Sequence, residues 1–497
     1  MRASPMRGSE MIARLQAMDA LPSPAAWRAV AGLAVRGITA DSRQAAEGAV
    51  FVAIPGTRAD GRAFIADAVS RGAVAVIAPP GTEWPPGVPP RPLIEDAEPR
   101  RRLAQIAAIL AGAQPATLVA VTGTNGKTST VEFLRQIWAL AGRKAGSLGT
   151  LGLNAPGFAA GPGLTTPDPV ALATTLAELA RAGIQHAAME ASSHGLDQFR
   201  LDGLRLAAGA FTNLTRDHLD YHQTMPAYRA AKLRLFAELL PEGAPAVAST
   251  TLDGDSLAEL RAIARRRRLD LRTVGDDGDF LRLLGSEATP DGQRLDILHA
   301  GHRHSVKVAL PGKFQADNIL VAAALALLTG VGNALDLLPA LTGVRGRMEL
   351  AARLPNGAAV YVDYAHTPDA LERLLSALRP HTAGRLHIVF GAGGDRDPGK
   401  RALMGAVAAR LADVAIVTDD NPRGEEPAAI RRAVLEGCRG GIEVGGREAA
   451  IAAALAGLAP GDVLAVAGKG HEQGQTIAGE TLPFDDVSVA RRLAGLS

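Results

Sequence analysis

The stretch TLVAVTGTNGKTSTVEFLRQ, residues 117–136, decides the fold. It opens as a continuous β-branched and apolar run, the pattern of a buried strand in a parallel sheet. A glycine loop follows, and then a helical pattern. Strand, loop and helix in that order turn backbone N–H groups and a helix N-terminus toward an anion. Gly123 and Gly126 permit positive φ and close backbone approach. Lys127 supplies a point charge for the outer phosphates of a nucleotide, and Thr128 a hydroxyl suited to Mg²⁺. One position departs from the usual G-x-x-x-x-G-K-[ST] pattern. Counting back from Gly126-Lys127-Thr128, the first glycine falls at residue 121, which is Val121.

Downstream, HAAMEASS (186–193) and AGAFTNL (208–214) repeat the apolar run, with helical patterns such as PVALATTLAELARAG between them. That alternation predicts a parallel sheet with crossover helices. After LTGVRGRMEL (341–350) come AAVYVDYAH, LHIVFGAGG, VAIVTDDNPR and DVLAVAGKGHE, each apolar run followed at once by Gly, Asp, Asn, Arg or His. Ligands of doubly wound sheets bind just beyond the carboxyl ends of the strands. These polar ends are therefore the expected ligand loops of a second, Rossmann-like domain. Upstream, GITADSR, GAVFVAIPG and AVAVIAPP read as short strands and turns. PPGTEWPPGVPPRP follows, with six prolines in its first twelve residues. Proline cannot donate to a ladder, so this segment reads as loop or linker.

The 497 residues suit about three domains at ~100–200 residues each. The expected class is α/β: a small N-terminal α/β domain over 1–105, a central P-loop parallel-sheet ATPase domain over 106–343, and a C-terminal Rossmann-like domain over 344–497. Hydrophobic residues at 47% and charged residues at 21% provide a core for each. Lys+Arg 53 against Asp+Glu 51 gives no electrostatic case for nucleic acid or a membrane surface. The run Arg265 to Arg268 reads as the solvated end of a helix. The single cysteine, Cys438, excludes an internal disulfide, and LEGCRGG brings no partner for a nucleophile. No apolar core of signal-peptide length and no membrane-spanning stretch of ~20 residues occurs. A cytoplasmic monomer is expected.

GTNGKTS resembles the shortened P-loop of the ATP-dependent amide ligases of the Mur and folylpolyglutamate synthetase family. The resemblance implies that ATP activates a carboxylate, which is then joined to an amine. A carboxylate is a poor electrophile because its leaving group would be oxide. Phosphorylation gives an acyl phosphate, whose leaving group is phosphate. That transfer brings two anions together, so it needs cations around the γ-phosphate. The resemblance assigns Gly123, Thr124, Asn125, Gly126, Lys127, Thr128 and Ser129 to ATP. Glu190 in HAAMEASSHGL, His218 in TNLTRDHLDYH and Lys232 in AYRAAKLRLF are similar to stretches that hold Mg²⁺ in the family. There the Lys carries CO₂ as a carbamate, since a bare ammonium cannot bind a metal. This implies catalytic roles for Lys127, Lys232, Glu190 and His218, and a Mg²⁺ site of Thr128, Glu190, His218 and carbamylated Lys232. By spacing alone, Glu190 also reads as a salt-bridged core-edge carboxylate, His218 as a helix-cap histidine and Lys232 as a solvated helix lysine.

The resemblance extends over nearly the whole chain. TADSRQAAEGAVFVAIPGTRADG (39–61) is similar to the uridine-diphosphate site of the muramyl peptide synthetases in that family, which implies contacts from Ser42, Thr57, Arg58 and Ala59. LTTPD (164–168) and EASSHGLDQFR (190–200) resemble muramoyl-peptide contacts, which implies Thr165, Thr166, Ser192, Gln198 and Arg200. Ser192 reads equally as a cap and Arg200 as a surface cation. LPGKFQADNILVAAAL (310–325), VRGRMEL (344–350) and VDYAHTPD resemble hinge and adenine-ribose contacts and imply Asn318, Arg347 and Asp363. Gln315 and Ser129 depart from the more usual Asn and Thr, and YHQTMPAY from the usual Gly and Glu.

TDDNPRGEEP (418–427) resembles the signature of the members that add meso-2,6-diaminopimelate to UDP-MurNAc-L-Ala-D-Glu. It implies that Asp420, Asn421, Pro422 and Arg423 bind the amino acid, with Arg396 of GAGGDRDPGKR and Gly468 and Glu472 of GKGHE. Diaminopimelate is lysine with a carboxylate at its far end, which an arginine can hold in a bidentate fork. The same arginine would face only the ammonium of lysine and reject it. Arg423 also reads as a turn residue after Asn-Pro, paired to Glu425 or Glu426. Two other functions remain open. A folate-type glutamate ligase would not need the ADSR…TRADG region. A P-loop kinase or motor NTPase would leave the DNPR and GKGHE ends without a task.

Overall fold

The structure, a computed structural model, describes residues 5–18, 27–56, 59–159, 165–289 and 292–496. Its contacts divide the chain into two compact units. One comprises Met1–Lys127, Leu134–Arg272 and Leu325–Val331; the other comprises Thr128–Phe133, Thr273–Ala324 and Gly332–Ser497.

The first unit holds two larger sheets besides the two-stranded pair Met6–Arg7 and Ala34–Val35. The strands Gly37–Thr39, Ala49–Val52, Ala73–Ala78 and Leu93–Glu95 lie side by side in that order, all parallel. The proline-rich stretch is a loop inside this sheet, because the strand after it still pairs with Ala73–Ala78. Trp84 Nε1 donates to Val88 O at 3.1 Å and Thr82 Oγ1 to Pro79 O at 2.6 Å, so the loop is internally bonded. It does not separate domains. The next element, the helix Pro99–Ala111, runs across residue 105.

The second sheet carries the phosphate loop. Its order is Pro245–Ser249, Ala208–Phe211, Thr117–Thr122, His186–Glu190, Ala145–Gly149 and Gly152–Asn154, parallel except for the last strand. Thr117–Thr122 is central, and its residues Leu118 to Val121 are fully buried, as the unbroken apolar run requires. Val121 pairs with Glu190 on one side and Ala210 on the other. The position where a longer loop would have its first glycine is therefore still inside the sheet. Crossover helices follow the expected cues. The helix Pro169–Arg181 starts at Asp168, whose carboxylate accepts from Val170 N and Ala171 N at 3.0 Å, with proline next.

In the second unit, Leu281–Thr289, Gly292–His299 and His302–Val308 form antiparallel hairpins. A second sheet has the order Glu349–Arg353, Ala359–Asp363, Val463–Ala467, Leu386–Phe390, Val414–Val417 and Ile442–Glu443, parallel after the first pair. The last long strand of the chain thus inserts between two earlier ones. Apolar clusters cover both faces of this sheet, so its strands read as continuous hydrophobic runs. Because these strands run parallel, the VDYAH, GKGHE, GAGGD and DNPR ends all leave from one edge. Arg447 is fully buried there against Asp486, with Nη2 donating to Ala467 O at 2.9 Å and Nη1 to Asp419 O at 3.3 Å. These are the residues just before Gly468 and Asp420, so one guanidinium ties two of the expected ligand loops together.

The tail of the helix Gly254–Arg267 carries Arg265, Arg266 and Arg267 in its last turn, with Arg265 and Arg266 exposed, as read. Cys438 is buried, and burial pushes its thiol pKa up, which suits an inert residue. Among the described residues no helix is long and apolar enough to cross a membrane.

Candidate active site

The phosphate loop is built by backbone conformation and pinned by a neighbouring strand end. Gly123 has φ +148 and Gly126 φ +85, where the helix Lys127–Leu140 begins. Thr212 and Asn213, just past Ala208–Phe211, grip the loop. Asn213 Oδ1 accepts from Asn125 N at 3.0 Å, and Thr212 Oγ1 donates to Asn125 O at 2.6 Å. Tyr228 OH lies 3.1 Å from Thr124 Oγ1. A Cβ on Gly123 would sit 1.9 Å from Thr212 Oγ1. Gly123→Ala is therefore expected to weaken ATP binding at least about tenfold by displacing the loop. Calorimetric titration of the folded variant checks this, and an unchanged Kd would refute the role of the close approach.

Two lysines converge on one carbonyl. Lys127 Nζ donates to Gly123 O at 2.9 Å and to Thr124 O at 2.8 Å. Lys232 Nζ donates to the same Gly123 O at 2.7 Å and lies 4.5 Å from the centroid of the Tyr228 ring. Lys232 is only 1% exposed, which removes the solvated-lysine reading. Burial, and then the Lys127 charge, hold its pKa well below the usual lysine range. Two ammonium groups sharing an acceptor repel each other, which adds to burial in disfavouring the charged form of Lys232.

His218 occupies the N-cap position of the short helix Leu219–His222 with φ +53, but its side chain makes no capping bond. Its pKa is lowered first by burial; Lys127 and Lys232 lower it further, while Asp217 opposes them. Its ring packs against His194 and Tyr228, and His194 in turn packs against Tyr221 and His222. Glu190 ends its strand at 2% exposure, with Oε1 accepting from Thr150 N at 2.7 Å and Oε2 from Thr150 Oγ1 at 3.2 Å. No group of three or more His, Cys, Asp or Glu side chains among the described residues could hold a metal. Glu190 and His218 are the only two of those types in the expected set, which otherwise relies on a threonine and a modified lysine.

The residues expected to contact the muramoyl peptide form one network around the same strand end. Thr165 Oγ1 is 3.0 Å from Thr150 Oγ1, and Thr166 Oγ1 donates to Glu190 O at 2.9 Å and accepts from Ser192 N at 3.0 Å. Arg200 donates to Thr166 O at 2.5 Å and to Gln198 Oε1 at 2.8 Å. Half-buried Arg200 is thus not a free surface cation. Ser192 Oγ accepts from Gly195 N at 3.0 Å, so it does cap a helix. Near the N-terminus, Ser42 is buried and hydrogen-bonds the Asp67 carboxylate. Ala59 O accepts from Gly56 N at 3.1 Å, while Thr57 and Arg58 lie outside the described residues.

In the second unit, Asp363 holds the segment that carries Arg347: its Oδ2 accepts from Met348 N at 2.7 Å and its Oδ1 from Ala365 N at 2.8 Å. Burial raises its pKa, and Arg347 opposes that. The Arg347 guanidinium lies 4.6 Å from the Tyr364 ring centroid. Gln315 Nε2 reaches Arg347 O at 3.4 Å, and Asn318 Nδ2 donates to Gln315 Oε1 at 3.2 Å. Asn318, Arg347 and Asp363 are therefore linked within this unit.

The strand ends of the second unit assemble the expected amino-acid site. Arg423 takes the left-handed conformation, φ +54, and its Nη1 donates to Gly394 O at 2.8 Å. Its backbone N donates to Thr476 O at 2.9 Å, and Ala478 N donates back to Arg423 O at 2.7 Å. It is not bonded to Glu425, which is held by Arg401 at 2.8 Å. Asn421 Nδ2 donates to Glu472 Oε2 at 2.9 Å, and a Cβ on Gly468 would sit 2.4 Å from Asp420 Oδ2. Pro422 O accepts from Glu425 N at 3.1 Å, closing the turn. Arg396 is exposed on the adjoining loop. Sequence reading did not single out Thr150, Thr212, Asn213, Tyr228, Arg447 or Lys469. Only Lys469 carried a signal, as the charged residue between the two glycines of GKGHE.

The family described as Mur ligase middle domain matches residues 121–326, the Mur ligase glutamate ligase domain matches 346–470, and the Mur ligase family catalytic domain matches 34–109. The chain is similar to a UDP-N-acetylmuramoyl-L-alanyl-D-glutamate–2,6-diaminopimelate ligase of Chelativorans sp. (strain BNC1), 54% identical over 92% of this chain and 94% of the relative. The relative of that name in Caulobacter vibrioides is 53% identical over 91% and 94%. A solved structure of a ligase of that name has a TM-score of 0.71 at 30% identity, covering 100% of this chain and 99% of the other. A MurF ligase from Thermotoga maritima in complex with ADP shares the fold, with a TM-score of 0.61 at 19% identity over 93% and 97%.

Proposed function

Because the chain belongs to the Mur ligase family, we infer that it is an ATP-dependent ligase joining meso-2,6-diaminopimelate to UDP-MurNAc-L-Ala-D-Glu, a step of peptidoglycan precursor synthesis. The products are the tripeptide conjugate, ADP and phosphate. The observation that carries the choice of amino acid is the turn Asp420-Asn421-Pro422-Arg423, set beside Glu472 at one sheet edge.

The chemistry has two steps. The side-chain carboxylate of the D-Glu residue attacks the γ-phosphorus, and the bond to ADP breaks. The diaminopimelate amine then attacks the acyl carbon, phosphate leaves with the C–O bonding pair, and the amine gives up a proton. In the first step Lys127 places its charge at the transferring phosphoryl group, and the glycine loop supplies backbone donors. Thr165, Thr166, Ser192, Gln198 and Arg200 orient the dipeptide, and Ser42 with the loop around Ala59 binds the uridine end. Asn318, Arg347 and Asp363 take the adenosine.

The donor set fits Mg²⁺. Glu190 and Thr128 offer hard oxygens, and the buried amine of Lys232, whose pKa burial lowers, can take up CO₂ to become a carbamate with two more. His218 completes the set. A Mg²⁺ ion bound there would neutralise phosphate charge during transfer. The reading places the enzyme in the cytoplasm, where its nucleotide substrates are, as a monomer.

Phosphate release in the presence of ATP, Mg²⁺ and UDP-MurNAc-L-Ala-D-Glu tests the assignment. Release is expected with meso-diaminopimelate and at background level with L-lysine. Equal release with lysine would overturn the role given to Arg423, and release with neither would overturn the ligase reading.

A further inference from the structure

Lys469 is fully buried and lies between two glycines held at positive φ, Gly468 at +120 and Gly470 at +54. Its ammonium donates to Asn421 Oδ1 at 3.0 Å and to Glu472 Oε2 at 3.0 Å. Asn421 Nδ2 donates to that same Glu472 oxygen at 2.9 Å, and Thr476 N donates to Asn421 Oδ1 at 3.0 Å.

This small network has only one consistent arrangement. An ammonium and a backbone N–H are donors only, so the Asn421 atom facing both must be its carbonyl oxygen. The amide nitrogen is then forced toward Glu472. Both donors meet Glu472 at Oε2, which leaves Oε1 on a side chain that keeps 32% exposure. Desolvating an ammonium is costly, and an apolar side chain of this length would fill the same space without that cost. The charge is therefore retained for what it holds in place.

We propose that Lys469 is a positioning residue for the amino-acid substrate: its buried ammonium fixes the rotamer of Glu472 and the orientation of the Asn421 amide, so that Glu472 Oε1 meets the substrate's ammonium already in place. The proposal rests on the reading that Asn421 and Glu472 bind diaminopimelate. Lys469 neutralises one side of the Glu472 carboxylate and leaves the other to the ligand. Its contribution is preorganisation, and it acts only through its two partners.

Steady-state kinetics of Lys469→Met, Glu472→Gln and the double variant test this. Lys469→Met should raise KM for diaminopimelate about 10- to 100-fold, the usual range for a supporting residue, with kcat and the KM values for ATP and UDP-MurNAc-L-Ala-D-Glu little changed. The double variant should be no worse than Glu472→Gln alone, because Lys469 has nothing left to position. If the two losses multiply, or if all three KM values rise together, Lys469 is not a positioning residue for this ligand. If Glu472→Gln leaves KM for diaminopimelate unchanged, the assignment of Glu472 to the substrate fails, and this proposal with it. Should Lys469→Met not fold, Lys469→Gln, one atom shorter but uncharged and still a hydrogen-bond donor, is read in the same way.

Discussion

Replacing Lys232 with methionine is expected to lower kcat by about 10²- to 10³-fold, the loss seen when one preorganised charge-stabilising group is removed. Methionine keeps the length of the side chain and its packing against Tyr228, so the fold should survive. What it removes is the buried amine proposed to form the carbamate. The case rests on two observations, 1% exposure and an amine 2.7 Å from Gly123 O, and on the burial and neighbouring Lys127 charge that lower its pKa. A lysine in its neutral form at neutral pH is a nucleophile toward CO₂, and the reaction R–NH₂ + CO₂ gives R–NH–COO⁻ and a proton. The unmodified enzyme should therefore lose activity in CO₂-free buffer and regain it with bicarbonate. The methionine variant should not respond. A Lys232→Met enzyme with full kcat, or an unmodified enzyme indifferent to bicarbonate, would rule the carbamate out.

Arg423→Met should lower kcat/KM for diaminopimelate by about 30- to 5,000-fold, which corresponds to the ~2–5 kcal/mol lost when one partner of a hydrogen-bonded charge pair is truncated. KM for ATP should stay within about twofold, because the change is confined to amino-acid recognition. Arg423 is held by its own backbone bonds to Thr476 and Ala478, so its guanidinium is presented without help from the Glu425 carboxylate. Lysine should become no better a substrate in absolute terms, since the variant supplies nothing for its terminal ammonium. Competition assays with both amino acids measure this. A diaminopimelate preference that survives the substitution would move specificity to other residues.

Much of this arrangement is legible in the chain itself, for a physical reason. Strands buried on both faces must be apolar throughout, so Thr117–Thr122 and the four long strands of the C-terminal sheet announce themselves. Their ends must be polar, because ligands meet them there, which is why the DNPR and GKGHE strings stand out. The hairpins over 281–308 were not anticipated, because their exposed and buried residues alternate irregularly and a bulge falls between Leu283 and Gly285. The proline-rich segment was legible as a loop, but composition cannot say whether a loop ends a domain or joins two strands of one sheet. Supporting contacts were the hardest to read. Tyr228 meets Thr124 across 104 residues of sequence, and Asn213 meets Asn125 across 88. Each is an ordinary residue in an ordinary helix or loop until the sheet order brings its partner near. Lys469 illustrates the opposite limit, a charged residue whose burial no local pattern foretells.

The placement of Val463–Ala467 between Ala359–Asp363 and Leu386–Phe390 has a consequence for how the chain reaches its native state. The strand needed at the centre of that sheet is synthesised after both of its neighbours. Until it arrives, the two strands it separates present unpaired edges to each other and to solvent. Closing the sheet also means drawing together segments about a hundred residues apart, which is slow compared with local folding. A nascent chain stopped short of residue 463 therefore carries the other strands of that sheet but cannot assemble its middle. The sheet closes only after Val463–Ala467 has been made, and chains that lack this strand are the ones most exposed to aggregation and proteolysis.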